Sequence, residues 1–267
     1  MKKYWSFFRM RFLGSLQYRA AAWAGIATQF AWGFMQLLMY RAFYEAGPAA
    51  FPMEFSQLAT YIWLQQAFLM LFNTWRYDND IFESITTGGV AYELSRPVPV
   101  YSMWFVKCIA SRVASTALRC LPVLVVAFLL PAPYRLNTPE SAGVFLVFLL
   151  SLAAASALVM ALQMLVYIAT FYTLSPLGVR IVVTVLSDFL MGQLIPLQFF
   201  PEAFRKVVEL TPFAAMQNLP LQIYCGTVAG SALTQALALQ GFWLIALVGC
   251  GVLWMRRSLR RVVVQGG

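Results

Sequence analysis

The sequence contains no histidine, and only 11% of its 267 residues are charged. The absence of histidine excludes imidazole acid–base catalysis and metal sites built on imidazole ligands. No glycine is followed by lysine, so the GxxxxGK[ST] phosphate loop that cradles ATP in many ATPases is absent too. Any use of ATP must therefore depend on a separate polypeptide.

Cysteine is also scarce. The four cysteines (Cys108, Cys120, Cys225 and Cys250) show no CxxC spacing, and three of them lie within or beside apolar runs. Neither a disulfide framework nor a zinc site is indicated. We predict no cofactor and no metal on this chain.

Hydrophobic residues, in contrast, make up 61% of the chain, whereas soluble domains are close to one half apolar. The apolar runs are long and do not alternate with polar residues, which favours membrane-spanning helices over a barrel. We predict an all-α polytopic protein whose residues 1–267 form one transmembrane domain, with six spans at 20–44, 56–75, 101–130, 142–172, 177–196 and 233–255.

The net charge of +9 does not indicate nucleic-acid binding, because the basic residues lie beside the apolar runs. Basic residues in such positions indicate how the chain is oriented in a membrane. Both ends of the chain carry such clusters, which predicts cytoplasmic termini in the inner membrane of a bacterium. The clusters are Lys2, Lys3, Arg9, Arg11 and Arg19 before the first span, and Arg256, Arg257, Arg260 and Arg261 after the last. Residues 76–100 would then lie inside, and residues 197–232 outside.

The N-terminal residues 2–18 place aromatic and aliphatic side chains at helical spacing, with basic residues elsewhere around the axis. The apolar positions are Trp5, Phe8, Phe12 and Leu16. This pattern predicts a helix lying in the membrane interface, with a plain extension of the first span as the alternative.

The predicted inner loop 76–100 contains a short helix of its own. Asp80 with Glu83 three residues later marks a helix start, and Gly88 and Gly89 mark its end. The side formed by Ile81, Phe82 and Ile85 is apolar. We expect lipid headgroups or a partner protein to cover that side.

The run from Asp80 to Pro97 resembles the coupling-helix loop of the ABC transporter type-2 permease family. In that family the loop docks into a groove of a cytoplasmic ATPase. The resemblance implies that residues 81–87 form the docking element, with Glu83 as a polar contact. The candidate docking residues are Asp80, Ile81, Phe82, Glu83, Ile85, Gly88 and Gly89.

The predicted outer loop is similar to the segment that forms short re-entrant helices before the last span in the same permeases. Pro201 suits a first helical position, Phe204, Val207 and Val208 would share one apolar side, and Pro212 would open another helix. Such helices could narrow an exit path or lie on the membrane surface. The candidate gate residues are Pro196, Phe199, Phe200, Pro201, Phe204 and Pro212.

The resemblance also implies an assembly. It implies export of a hydrophobic or amphipathic substrate by two permease subunits, identical or homologous, with two copies of an ABC ATPase subunit that bind ATP and Mg. The permease itself would be no enzyme. Membrane lipid is a further expected partner, and nucleic acid is not.

Asp188 falls within the fifth predicted span, where an ionisable residue is a functional candidate. Arg112 and Arg119 are seven residues apart on one helix face and could neutralise it. The alternatives are a buried ion pair, substrate or proton handling, and a wrong depth assignment. An ion-coupled transporter or channel using Asp188 is the second candidate function, and a membrane enzyme built on Asp78, Asp80 and Glu83 is the least favoured.

Overall fold

The computed structural model describes residues 2–17, 19–48, 51–173 and 175–260, and within these residues it contains helices and loops without a β-strand. The first half of the chain forms α1 (Lys2–Ser15), α2 (Arg19–Ala46), α3 (Phe55–Ala67), α4 (Leu69–Phe72), α5 (Asn79–Thr86), α6 (Val90–Leu94) and α7 (Val100–Leu129). The second half forms α8 (Ala142–Thr173), α9 (Pro176–Leu190), α10 (Glu202–Glu209), α11 (Pro212–Met216), α12 (Asn218–Tyr224) and α13 (Gly230–Leu259), with a short 3-10 helix, Leu197–Phe199, before α10. The all-α prediction is confirmed.

Three of the described helices, α7, α8 and α13, are long and apolar enough to cross a membrane. They contain 30, 32 and 30 residues, whereas about 20 residues suffice for the hydrocarbon core. Their observed ends lie within four residues of the predicted spans. The long apolar runs therefore located these helices well.

Two other predicted spans form helices that are interrupted or short. Span 56–75 divides at Phe68 into α3 and α4. The helix of span 177–196 ends at Leu190, because Gly192 takes a φ of +83°, and the amide of Gln193 donates to the carbonyl of Asp188. A hydrophobic run does not reveal such breaks.

Helix α3 lies at the centre of the larger core and packs against α2, α7 and α12. Its Trp63 is fully buried, and the indole Nε1 donates to the carbonyl oxygen of Tyr134 at 2.8 Å. Gly33 on α2 faces this ring so closely that a Cβ there would lie 2.8 Å from Trp63 Cζ3. The glycine thus permits α2 to approach α3.

Helix α1 packs along α7, yet none of its residues is buried. Trp5 is 67% exposed, and its ring stacks on Phe8 at a centroid distance of 5.7 Å. Phe8 stacks in turn on Phe12 at 5.9 Å. The helical spacing predicted for these aromatic residues is therefore present, and the aromatic stripe remains open to its surroundings.

We expect Gly33→Val to destabilise the protein, because the added side chain would meet the anchored Trp63 ring. Overpacking of this kind costs about 1–3 kcal/mol, which would lower the midpoint of thermal unfolding measured in detergent. Gly241→Val on α13 is the matched control, since a Cβ there meets nothing within 4 Å. Equal midpoints for the two variants would contradict close packing at Gly33.

Candidate functional site

The predicted docking helix is present as α5, but its cap differs from the expectation. The N-cap is Asp78, whose carboxylate accepts a hydrogen bond from the amide of Asp80 at 3.1 Å. The helix therefore begins at Asn79, and the capping role predicted for Asp80 is wrong. Gly88, with a φ of +77°, follows the end of the helix, as the glycine signal predicted.

The apolar side of α5 is covered by the protein itself. Ile81 and Phe82 are 1% and 5% exposed. The Phe82 ring lies 4.7 Å from the ring of Tyr167 on α8 and 5.6 Å from that of Tyr77, between ring centroids. The expectation that headgroups or a partner protein cover this side is therefore wrong, because α8 supplies an aromatic surface that fits it.

The opposite side of α5 is polar and open. Asp80, Glu83, Thr86, Thr87 and Gly88 are exposed. Gly89 is half-buried and begins the turn into α6, where Tyr92 is 82% exposed. The surface available to a partner thus consists mainly of carboxylate and hydroxyl groups, and the predicted apolar docking residues lie behind it.

Contacts with α7 and α8 hold the N-terminal end of α5 in place. The ammonium group of Lys107 on α7 lies 2.8 Å from a carboxylate oxygen of Asp78 and 3.2 Å from one of Asp80. The amide of Asp78 donates to the hydroxyl of Tyr167 at 2.7 Å. Lys107 thereby pairs with two of the three carboxylates, Asp78 and Asp80, that the enzyme alternative would use. Among the described residues no group of three or more Cys, Asp or Glu side chains is placed to hold a metal ion.

The chain between α4 and α5 is held by the buried Arg112 of α7. Its guanidinium donates to the carbonyl oxygens of Met70, Leu71 and Arg76 at 3.1 to 3.3 Å, and to Gln163 Oε1 at 2.7 Å. The amide nitrogen of Gln163 donates in turn to the carbonyl oxygens of Thr74 and Arg76, at 3.0 and 3.1 Å. Four carbonyl groups, two at the end of α4 and two after it, are therefore bound by side chains of α7 and α8.

The ion pair considered for Asp188 is not formed in the described part of the chain. Asp188 accepts a hydrogen bond from the hydroxyl of Thr74 at 2.7 Å. Arg112 is engaged with backbone carbonyls, and Arg119 donates to the carbonyl oxygen of Ala21 at 3.2 Å. The helical spacing of the two arginines is correct, but both guanidinium groups point to other partners.

Tyr77 connects α5 with α9. Burial of its hydroxyl raises the pKa of Tyr77. The guanidinium carbon of Arg180 lies 4.8 Å from the centroid of the Tyr77 ring and 5.2 Å from that of Phe82, a cation–π arrangement. The back of α5 is therefore a closed aromatic cluster with one cation beside it.

The predicted gate residues lie at two neighbouring aromatic contacts. Phe199 meets Tyr40 and Phe51 at centroid distances of 5.2 and 5.0 Å. Phe200 meets Phe189, at the end of α9, and Phe204 at 5.1 and 5.4 Å.

Three prolines among the predicted gate residues lie at helix N-termini. Pro212 is the first residue of α11, as predicted, whereas Pro201 is the N-cap of α10 and not its first residue, and Pro196 is the N-cap of the 3-10 helix. Phe204, Val207 and Val208 are three and four residues apart on α10 and so share one side of the helix, as predicted. Val208 is buried, whereas Phe204 and Val207 are 41% and 61% exposed.

Sequence reasoning missed Lys107, Gln163 and Tyr167 as parts of the site. A signal was present, because Gln163 and Tyr167 are four residues apart on an otherwise apolar helix and so share one face. The sequence does not indicate which element packs on that face. The hydrogen bond from the amide of Asp78 to Tyr167 joins residues that are 89 positions apart.

These features define a helical membrane protein with a polar helix displayed at one end of its long helices. Comparison with protein families identifies it further: the profile described as "ABC-2 family transporter protein" matches residues 30–266. The chain belongs to this family, and it is a permease of an ABC-type transporter. No curated protein and no solved structure matches the chain.

We expect Arg112→Leu to loosen the segment that carries α5. Each buried carbonyl that loses its donor costs about 1–3 kcal/mol, so hydrogen exchange of residues 70–87 should accelerate and the unfolding midpoint should fall. Arg112→Lys should restore little, because one ammonium group cannot reproduce the fork of donors. Arg257→Leu, at an exposed position of α13, is the control, and unchanged exchange in Arg112→Leu would contradict the assigned role.

Proposed function

We propose that this chain is the membrane subunit of an exporter driven by ATP hydrolysis in a separate ATPase, and that α5 is the element that the ATPase holds. The observation that carries the proposal is the two-sided character of α5. Its polar side is exposed, while its apolar side and its N-terminal end are fixed to α7 and α8. A force applied to the exposed side is thereby transmitted to two long helices.

The proposed topology has six spans: α2, α3 with α4, α7, α8, α9 and α13. Both termini lie in the cytoplasm, α5 and α6 lie on the cytoplasmic side, and α10 to α12 lie outside. Helix α9 has 15 residues, about 22 Å, so the irregular residues that follow it complete the crossing. Helix α1 lies in the inner interface, where its aromatic stripe enters the headgroup region.

Docking in this proposal uses polar contacts. Because Ile81 and Phe82 are buried, the ATPase groove receives Asp80, Glu83 and Thr87 instead. A groove with donors or basic side chains complements these groups. The apolar residues then serve as the connection between α5 and the permease, and the carboxylates as the contact with the ATPase.

The proposed assembly contains two permeases and two ATPase subunits, with ATP and Mg bound only on the ATPases. One inner docking helix per permease fits one ATPase per permease. When two ATPases close on ATP, each draws its α5, and the movement passes through Lys107 and Arg112 to α7. The aromatic contacts of Phe199 and Phe200 lie at the outer end, where they can open for a hydrophobic or amphipathic substrate.

We expect the double substitution Glu83→Arg with Thr87→Arg to prevent copurification of the partner ATPase. Reversing the charge of the exposed contact should weaken binding at least about tenfold and abolish ATP-dependent transport. Both side chains are exposed, so insertion and stability should be unchanged. Retained copurification and transport would contradict the docking role.

The matched control is Glu202→Arg, an exposed carboxylate on α10 at the proposed outer side. Its pair with Lys206 is a surface ion pair, and such pairs contribute little to stability. Charged substitutions at Ile81 are unsuitable for this test, because they would disrupt the buried contact with α8 whether or not an ATPase binds.

We expect the topology to be measurable with single cysteines in a chain whose four native cysteines are replaced by alanine. Tyr92→Cys should react with a membrane-impermeant maleimide only after the membrane is opened, and Val207→Cys should react in intact cells. These positions are 82% and 61% exposed. The reverse pattern would place α5 outside and would overturn the proposed function.

A further inference from the structure

A cavity of about 490 Å³ lies between the end of α1, the start of α2, the segment after α4 and one side of α7. Its lining includes two arginines, Arg76 and Arg119, and the hydroxyl groups of Ser111 and Ser115, beside apolar walls such as Trp75. No carboxylate lines this cavity. The size is within the range of small-molecule sites.

The first arginine is bound only to neutral groups. Arg76 donates to Ser115 Oγ at 2.7 Å and to Ser111 Oγ at 3.1 Å. Asp78, two residues further along, is bound to Lys107. Arg76 therefore has no salt-bridge partner among the residues that the structure describes.

The second arginine, Arg119, has fewer hydrogen-bond acceptors than Arg76 among the described residues. The guanidinium of Arg119 lies over Gly25, where a Cβ would collide with it, and donates to the carbonyl oxygen of Ala21. Its Nε–H is buried without an acceptor in the described part of the chain. Asp188 lines an adjoining cavity of about 410 Å³, which Arg119 also lines, but this carboxylate is bound to Thr74 and forms no ion pair with Arg119.

In the proposed topology Arg76 lies at the inner surface, and Arg119, which is beyond the middle of α7, reaches toward that surface. Arg119 reaches back to Ala21, at the start of the first predicted span, and Arg76 begins the predicted inner loop. Trp75, 52% exposed, stands between the two cavities, and tryptophan is typical of the interface. Two cations without counterions at this depth repel each other and are costly, which favours an anion between them.

We infer that this cavity binds the phosphate group of an anionic amphiphile from the inner leaflet. Arginine forks match the geometry of phosphate oxygens, and charge-assisted hydrogen bonds to them are strong. The cavity holds the headgroup, and the hydrocarbon chains remain in the surrounding bilayer. The inference depends on the membrane placement of the chain, and it is independent of ATPase docking.

The test measures lipid binding to the purified permease in detergent by native mass spectrometry. Didecanoyl phosphatidylglycerol should bind at least about tenfold more tightly than didecanoyl phosphatidylcholine, which has the same chains and a phosphate whose charge is balanced by choline. Inorganic phosphate should not displace the lipid at equal concentration. Displacement would identify free phosphate as the ligand and overturn the lipid source.

The variants assign the binding to the two arginines. Arg76→Gln and Arg119→Gln should each weaken phosphatidylglycerol binding about tenfold, the effect of one charge-assisted hydrogen bond, and leave phosphatidylcholine binding unchanged. Arg257→Gln is the control, since this arginine is exposed near the inner end of α13 and does not line the cavity.

Arg119→Lys keeps the charge and should retain part of the selectivity, which covers the case in which a glutamine variant does not fold. Equal binding of the two lipids to the unsubstituted permease would overturn the inference, as would full phosphatidylglycerol affinity in both glutamine variants.

Discussion

The contact on which the candidate site depends is the set of hydrogen bonds from Arg112 to the backbone around α4. A guanidinium enclosed in an apolar bundle is stable only where its donors find acceptors, and carbonyl groups that leave a helix need donors. Met70, Leu71 and Arg76 provide those acceptors, and Gln163 completes the set from α8. The carbonyl groups accept from the guanidinium, and the guanidinium supplies the donors that these carbonyl groups need. The end of the second span, α7 and α8 therefore form one rigid unit at the base of α5.

The same unit explains why a helix of eight residues can be well positioned although it is too short to be stable alone. The Asp78 cap, the pair with Lys107 and the ring contact with Tyr167 act at one end and on one side of α5. The remaining side needs no internal partner and is free for recognition. A rigid helix loses little conformational entropy when another protein binds it, so a surface of this kind is suited to recognition.

The sequence predicted the parts of the fold that composition and local pattern determine. The long apolar runs located α7, α8 and α13, and the glycine signal located the end of α5. What failed depended on contacts between distant residues. The pattern of Ile81 and Phe82 predicts a cover of headgroups or a partner protein, because it indicates that a cover exists but not that Tyr167 supplies it. The pairing of Asp188 with Arg112 or Arg119, one of the alternatives considered, fails for the same reason: spacing along one helix does not indicate which of several neighbouring helices a side chain meets.

The non-helical stretch from Asn73 to Asp78 has a consequence for how this region can change during evolution. The carbonyl groups of Thr74 and Arg76 accept hydrogen bonds from side chains on α7 and α8, so shifting the stretch by a single residue would break this register. Substitutions on the open side of α5 disturb no such register. Insertions and deletions before α5 should therefore be rare even where substitutions within it are tolerated, and the spacing from Phe72 to Asn79 should persist in relatives in which the open side of α5 differs.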